Sequence, residues 1–298
     1  MGYQTPIDTL YQKWEDQIDQ VPKTKDQTIK DVKLFISRFS TIEKVTRQEA
    51  KKWVDELIEN GITVGVVNRL LISARNYWKY LQQRDVINVD NEPLRLSGFL
   101  PKDNKKNRKG WIPFQPKDVV ILWREATLRG IKNKGYRTLA DLILIDMYSG
   151  ARIEELGSLK VSDITEDSFK VISSKTIAGV REIPIHSKLK PVFNRLKGES
   201  TDGYLFSGLN TNKWGDRSGS LGTRFGRLKT ELGYGELEVF HSIRKTFVTI
   251  LENKGVTEGL SSDIVGHEKP NITYGLYSGG HGYNKMKAAV ELVDYDTD

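Results

Sequence analysis

Four short stretches of the chain carry side-chain types suited to handling a phosphate. The first is His241-Ser-Ile-Arg244. Ile243, Phe247, Ile250 and Leu251 form an apolar stripe at helical spacing, and Gly255 is the stop signal. His241 and Arg244 are three apart and so share the opposite face. An arginine brings a fork of donors with permanent charge, and an imidazole brings a donor or a proton acceptor. Such a pair can grip an oxyanion, although many like it merely sit on solvated helix faces. The second stretch is Tyr148-Ser-Gly-Ala-Arg152-Ile-Glu-Glu155-Leu. It predicts an apolar helix ending at Gly150 and a short one beginning at Ile153. Arg152 falls at the junction, where free N–H groups and the helix dipole already favour phosphate. Glu155 is spaced to orient Arg152 through a salt bridge. The third, Ser173 to Ile185, holds the turn at Ala178-Gly179 that joins two expected strands, Phe169 to Ser173 and Val180 to Ile185. Lys175 would stand at the edge of that hairpin. There it could protonate a leaving oxygen, or do no more than guard an edge strand against aggregation. The fourth runs from Val265 to Gly280 and holds His267, Tyr274 and Tyr277. A tyrosine hydroxyl there could be a nucleophile or a structural hydrogen-bonding group.

Taken in this order, the fragments resemble the tyrosine recombinase (phage integrase) family. Its pattern is Arg, a hairpin Lys, His-x-x-Arg, His or Trp, and then Tyr. The matching positions are Arg152, Lys175, His241, Arg244, His267 and Tyr277. Tyr277 follows His267 by ten residues and Tyr274 by seven; the family's spacing is nearer nine or ten, so Tyr277 is the expected nucleophile. The resemblance implies an enzyme that cuts and rejoins duplex DNA through a covalent 3′-phosphotyrosine, with no metal and no nucleotide cofactor. Arg152 and Arg244 would neutralise charge growing on the non-bridging oxygens, helped by His241 and His267. One well-placed donor of this kind lowers a barrier by roughly 3–4 kcal/mol. Free tyrosine titrates near pH 10, so Tyr277 needs a base, for which His241 is the candidate. Lys175 would protonate the departing 5′ oxygen. Implied partners are DNA with inverted half-sites, a homodimer or homotetramer on that DNA, and accessory DNA-bending proteins. The implied role is integration or excision of a phage or mobile element, in the cytoplasm and nucleoid of a prokaryotic host. The rivals are a type IB topoisomerase-like enzyme, a DNA-binding regulator without catalysis, and a metal nuclease built on His241 and His267.

The elements that would position these groups divide the chain. Residues 1–97 predict about four helices. The first spans Ile7 to Ile18, and the second carries Ile29, Val32, Ile36 and Phe39 at helical spacing. The third opens on Thr46-Arg-Gln-Glu49, which has the form of a capping box, and shows Ala50, Trp53, Leu57 and Ile58 on one side before Gly61. The fourth carries Val67, Leu70, Leu71, Ala74, Tyr77, Trp78 and Leu81. At this spacing Trp53, Tyr77 and Trp78 read as core rather than as base-stacking groups. Residues 98–112 read as a basic linker with Lys102, Lys105, Lys106, Arg108 and Lys109 against a single Asp, either a solvated tether or one that crosses DNA and touches its phosphates. Residues 113–298 form a mixed, mostly helical domain. The expected fold class is mainly α with a small β-hairpin (α+β). In the family's terms, a helical core-binding domain precedes the catalytic domain. The helical pattern begins near Ile7, so the small arm-binding domain that many phage integrases carry ahead of the core-binding domain is expected to be either absent or removed. The tail from Tyr283 to Val293 has Met286, Val290 and Val293 on one side. It suits packing on its own domain or docking on a neighbouring protomer equally well. Glu291 to Asp298 reads as a fraying helix end.

Composition sets the outer bounds. The 298 residues favour two domains, and a hydrophobic fraction of 38% supports real cores. The formal net charge of +7 raises the local concentration of polyanions, nucleic acid first among them. Cysteine is absent, which excludes disulfides, thiolate metal sites and a cysteine nucleophile. No apolar run of about 18 residues suggests a membrane span, and the N-terminal residues lack the apolar stretch of a secretory signal.

Overall fold

The structure, a computed structural model, describes residues 4–100, 110–172, 179–267 and 280–295. The chain forms two compact units, residues 1–108 and 109–298. It is mostly helical with one small antiparallel sheet, the fold class expected from the sequence.

In the first unit, helices α1 (Tyr11–Gln17), α2 (Pro22–Arg38), α3 (Arg47–Glu59) and α4 (Val64–Gln82) enclose one core. The stripe on α4 is buried along its whole length, and Trp53, Tyr77 and Trp78 lie in the core. Burying their apolar bodies strands no polar handle where a partner is in reach. The Tyr77 hydroxyl donates to Ile7 O at 2.7 Å and Trp78 Nε1 to Asn91 O at 2.7 Å. Thr46 caps α3 by accepting the Glu49 N–H. Helix α1 is shorter than expected. The Ile7 N–H is committed to Ser40 O and Pro6 bridges to Thr41, so this backbone pairs across the unit instead of coiling. On α2 the buried face is also rotated from expectation. Ile29 and Ile36 are half-buried, whereas Asp31 is fully inside, held by Arg69, Ser73 and Gln27.

The second unit is built around α6 (Lys134–Ser149), which packs on α5 (Pro116–Gly130), α9 (Gly219–Glu231) and α10 (His241–Asn253). From Leu142 onward nearly every α6 side chain is buried, so its C-terminal half is a core helix. It ends at Gly150 in the left-handed conformation (φ 59°). An added Cβ there would lie 2.5 Å from the Phe247 ring of α10, so glycine is required both for backbone conformation and for space. The short helix α7 (Ile153–Gly157) follows, with Arg152 at its N-cap. Strands β1 (Ser168–Val171) and β2 (Arg181–Pro184) pair antiparallel, Val171 opposite Arg181 and Phe169 opposite Ile183. Phe169 stacks on Phe193 of α8 (Lys190–Glu199), which backs the sheet. The turn expected to carry Lys175 lies outside the described residues.

After α10 come α11 (Glu258–Val265) and, beyond residues 268–279, α12 (Tyr283–Val290). The expected frayed end after Glu291 is corrected by the packing. Val293 and Tyr295 are buried in the core of the second unit, and Glu291 accepts from Ser187 while Asp294 accepts from Lys188. Acidic sequence suggested a solvated end, but two apolar side chains outweigh it. Of the two readings of the tail, the described part takes the first and folds onto its own unit.

Candidate functional site

The end of α11 is where the site is organised. A helix terminus leaves its last carbonyls without intrahelical partners. Here three consecutive carbonyls are each capped by a different arginine. Arg181 Nε donates to Ile264 O at 2.8 Å, Arg244 Nη2 donates to Val265 O, and Arg152 Nη2 donates to Gly266 O at 3.1 Å. These arginines come from β2, α10 and the N-cap of α7. The negative end of the α11 dipole favours cations at this place. Gly266 is left-handed (φ 70°), and the N–H groups of Gly266 and His267 both return to Ser262 O. The turn thereby sets His267 immediately beyond the three guanidinium groups.

Glu155 ties two of the arginines together. Its carboxylate accepts Arg152 N at 2.8 Å and Arg152 Nη1 at 2.6 Å, and Arg181 Nη1 and Nη2 at 3.1 and 2.9 Å. The reach from the third helical residue back to the N-cap amide is half of a capping box. Burial pushes the Glu155 carboxyl up, but the Arg181 hydrogen bonds and charge, then those of Arg152, outweigh it and hold Glu155 below the usual carboxylate range. Arg152 retains an open side, with 37% of its side chain exposed, whereas Arg181 and Glu155 are buried.

Arg244 is almost wholly enclosed, 1% exposed, with Nη1 donating to Gly150 O at 2.6 Å. The sharp end of α6 thus turns a carbonyl toward α10. Burial, then the Arg152 and Arg181 charges, lower the Arg244 guanidinium to about 9, which leaves it charged at neutral pH. Behind it lies Asp146, fully buried, its carboxyl pushed well up by that burial. Among the described residues neither Asp146 oxygen, nor Arg244 Nε, nor the Tyr148 and Tyr295 hydroxyls has a hydrogen-bond partner.

The two imidazoles sit in a positive field. Loss of surrounding water, then Arg244, Lys245 and Arg152, push His241 below its ordinary value. The same causes, with Arg244 and Arg152 leading the charges, push His267 down to about 4. Both rings are therefore neutral at pH 7, and both keep exposed edges.

Of the residues singled out from sequence, the structure brings Arg152, Glu155, His241, Arg244 and His267 to one place. Lys175, Tyr274, Tyr277 and the linker cations Lys102, Lys105, Lys106, Arg108 and Lys109 lie outside the described residues. Arg181 was missed. The signal was available: on β2, Arg181 and Ile183 share one face by strand alternation. A cation on an inward face demands a buried anion, which Glu155 supplies. Among the described residues no three His, Asp or Glu side chains are grouped to hold a metal ion.

The model of the Phage integrase family matches residues 114–279, more than half of the chain. The chain belongs to this family, the tyrosine recombinases. Among its relatives is the transposase from transposon Tn916 of Enterococcus faecalis, 25% identical across 91% of this chain and 74% of the relative. The tyrosine recombinase XerC of Bacillus pumilus is 26% identical across 78% of this chain and 76% of its own. Two solved structures share the fold. One is the Tn1549 transposon integrase in complex with transposon right end DNA, with TM-score 0.66 and 21% identity over 96% of this chain and 98% of that one. The other is a lambda integrase dimer bound to a COC′ core site, with TM-score 0.71 and 15% identity over 90% and 76%. No described helix is long and apolar enough to cross a membrane.

Proposed function

We propose that the chain is a site-specific DNA strand transferase of a mobile element, acting through a tyrosyl phosphodiester. The Tyr277 oxygen attacks the scissile phosphorus and the bond to the 5′ oxygen breaks. The products are a 3′-phosphotyrosine and a free 5′ hydroxyl. His241 takes the phenolic proton and Lys175 supplies one to the leaving oxygen. Attack by a 5′ hydroxyl from another duplex reverses the step and releases the tyrosine, so no external energy source is needed.

One observation carries this reading: Arg152 and Arg244, fixed on the end of α11, stand with two neutral imidazoles beside them. A guanidinium has five donors. Arg244 commits two to carbonyls, and Arg152 keeps an open side, so donors remain for a phosphate. Their preorganisation by Glu155 and the helix end means that little reorganisation is needed as charge develops. A neutral His241 is able to accept the tyrosine proton. Core-binding by residues 1–97, phosphate contact by the basic segment 98–112, and dimers or tetramers on inverted half-sites complete the reading. It draws support from relatives described as transposases and from DNA-bound integrases of the same fold.

The test is a DNA substrate nicked beside the scissile phosphate, incubated in EDTA with the intact chain, Tyr277→Phe and Tyr274→Phe. The expected outcome is an SDS-stable protein–DNA adduct lost only in Tyr277→Phe. Loss in Tyr274→Phe alone would move the nucleophile to Tyr274. Tight binding with no adduct from any variant would overturn the enzyme reading in favour of a DNA-binding regulator. Dependence of cleavage on a metal would favour the nuclease.

A further inference from the structure

Tyr277 lies between His267, just past the end of α11, and Gly280, where the described chain resumes against the same helix. Downstream, Asp263 of α11 meets His281 twice. Its Oδ2 accepts the His281 backbone N–H at 3.0 Å and lies 2.6 Å from His281 Nδ1. The His281 ring rests against the same helix one turn earlier, where a Cβ added at Gly259 would lie 3.5 Å from Cε1. Gly259 and Asp263 are four apart and so line one face of α11. Gly280 is left-handed (φ 83°), and a Cβ there would come within 3.4 Å of Asp263 Oδ2. The chain therefore docks at Gly280 and His281 through a residue with no side chain and a carboxylate used twice.

Chain length gives this docking its consequence. A chain extends at most about 3.3–3.6 Å per residue. Tyr277 is ten residues from His267, a reach of up to about 35 Å. It is four residues from His281, a reach of only about 14 Å. The downstream fastening, not the upstream one, limits where Tyr277 can go. Without it the next fixed point is Tyr283, whose hydroxyl donates to Asp167 O at 2.8 Å as α12 begins. Six residues then allow about 21 Å, roughly three times the volume.

We propose that Asp263 and His281 are positioning residues: their pair fastens the nucleophile segment to the helix whose end gathers Arg152, Arg181 and Arg244, and so holds Tyr277 near the arginines of its own chain. This rests on Tyr277 being the nucleophile. Small losses of placement cost rate steeply, so opening the pair is expected to slow attack about tenfold while leaving DNA affinity unchanged.

The experiment exploits the absence of cysteine. Spin labels on Tyr277→Cys and on Thr249→Cys, an exposed α10 position, report the distance distribution between segment and unit in the full chain. We expect a narrow distribution that broadens with His281→Ala and, from the other side of the pair, with Asp263→Ala. His281→Asn, whose amide nitrogen can stand in for Nδ1, is expected to narrow it again. A second arm uses Tyr277 intact and measures single-turnover adduct formation in the same His281 variants, with an about tenfold fall for Ala, a rescue for Asn and unchanged DNA binding. Equal widths with and without the pair would overturn the proposal, whatever the chemistry. Broadening with an unchanged adduct rate would overturn the positioning role. Broadening in a chain that forms no adduct at all would support the fastening and overturn the nucleophile assignment.

Discussion

At the scale of single residues, the site's chemistry turns on how its cations treat its imidazoles. Arg152, Arg181 and Arg244 place three positive charges against Glu155, with Asp146 driven toward its neutral form by burial. The excess presses on His241 and His267. A nearby cation disfavours imidazolium, so removing one must raise the imidazole pKa. In Arg152→Ala both rings are therefore expected to titrate at higher pH than in the unsubstituted chain, His267 starting from about 4. Nitrogen-detected NMR titration of the two imidazoles checks this, and unchanged or lower values would refute the assignment of the field to Arg152. A bound phosphate, being anionic, should raise both values in the same way, so that DNA binding is accompanied by proton uptake that grows as the pH is lowered toward the raised values.

At the scale of elements, the site depends on three helix termini meeting. The end of α6 supplies Gly150 O to Arg244, the start of α7 supplies Arg152, and the end of α11 receives all three arginines. Gly150 is the narrowest point, because Phe247 of α10 fills the space a side chain would need. A left-handed non-glycine residue costs roughly 1–2 kcal/mol, and forcing atoms into a packed core adds roughly 1–3. Gly150→Ala is thus expected to destabilise the protein by about 2–5 kcal/mol in chemical denaturation, and to slow cleavage beyond that by shifting α10 and Arg244. A loss under about 0.5 kcal/mol, the usual range for surface changes, would mean that α6 and α10 are not clamped at this point.

At the scale of the whole molecule, the net charge of +7 is spread over two units and the basic stretch between them. If Lys105, Lys106, Arg108 and Lys109 contact phosphates, their removal has a defined signature. Each lost phosphate contact lowers the slope of log affinity against log salt by about 0.9 on duplex DNA. Replacing all four by alanine is expected to reduce the slope by up to about 3.6 while leaving sequence preference intact. Salt-dependent binding to cognate and unrelated duplexes measures both. An unchanged slope would assign this stretch the part of a solvated tether.

Much of this was legible in one dimension because the signals are local. Helical periodicity marked α4 and α10, glycine marked the ends of α6 and α10, and Trp53, Tyr77 and Trp78 read as core from spacing alone. The order of Arg152, His241, Arg244 and His267 pointed to one family, since each residue's type and local spacing can be read without knowing what it faces. Partnership could not be read in that way. That Arg181 shares Glu155 with Arg152, that Asp31 is buried on an amphipathic helix, and that Asp263 holds His281 all depend on segments far apart in sequence. The tail shows the same division. Its acidic residues suggested fraying, yet Val293 and Tyr295 are buried because they pack into the hydrophobic core of the second unit. Periodicity tells which face of an element is apolar, but only the packed chain brings three arginines from three elements to one helix end, because long-range contact is decided by complementary surfaces and not by neighbours in sequence.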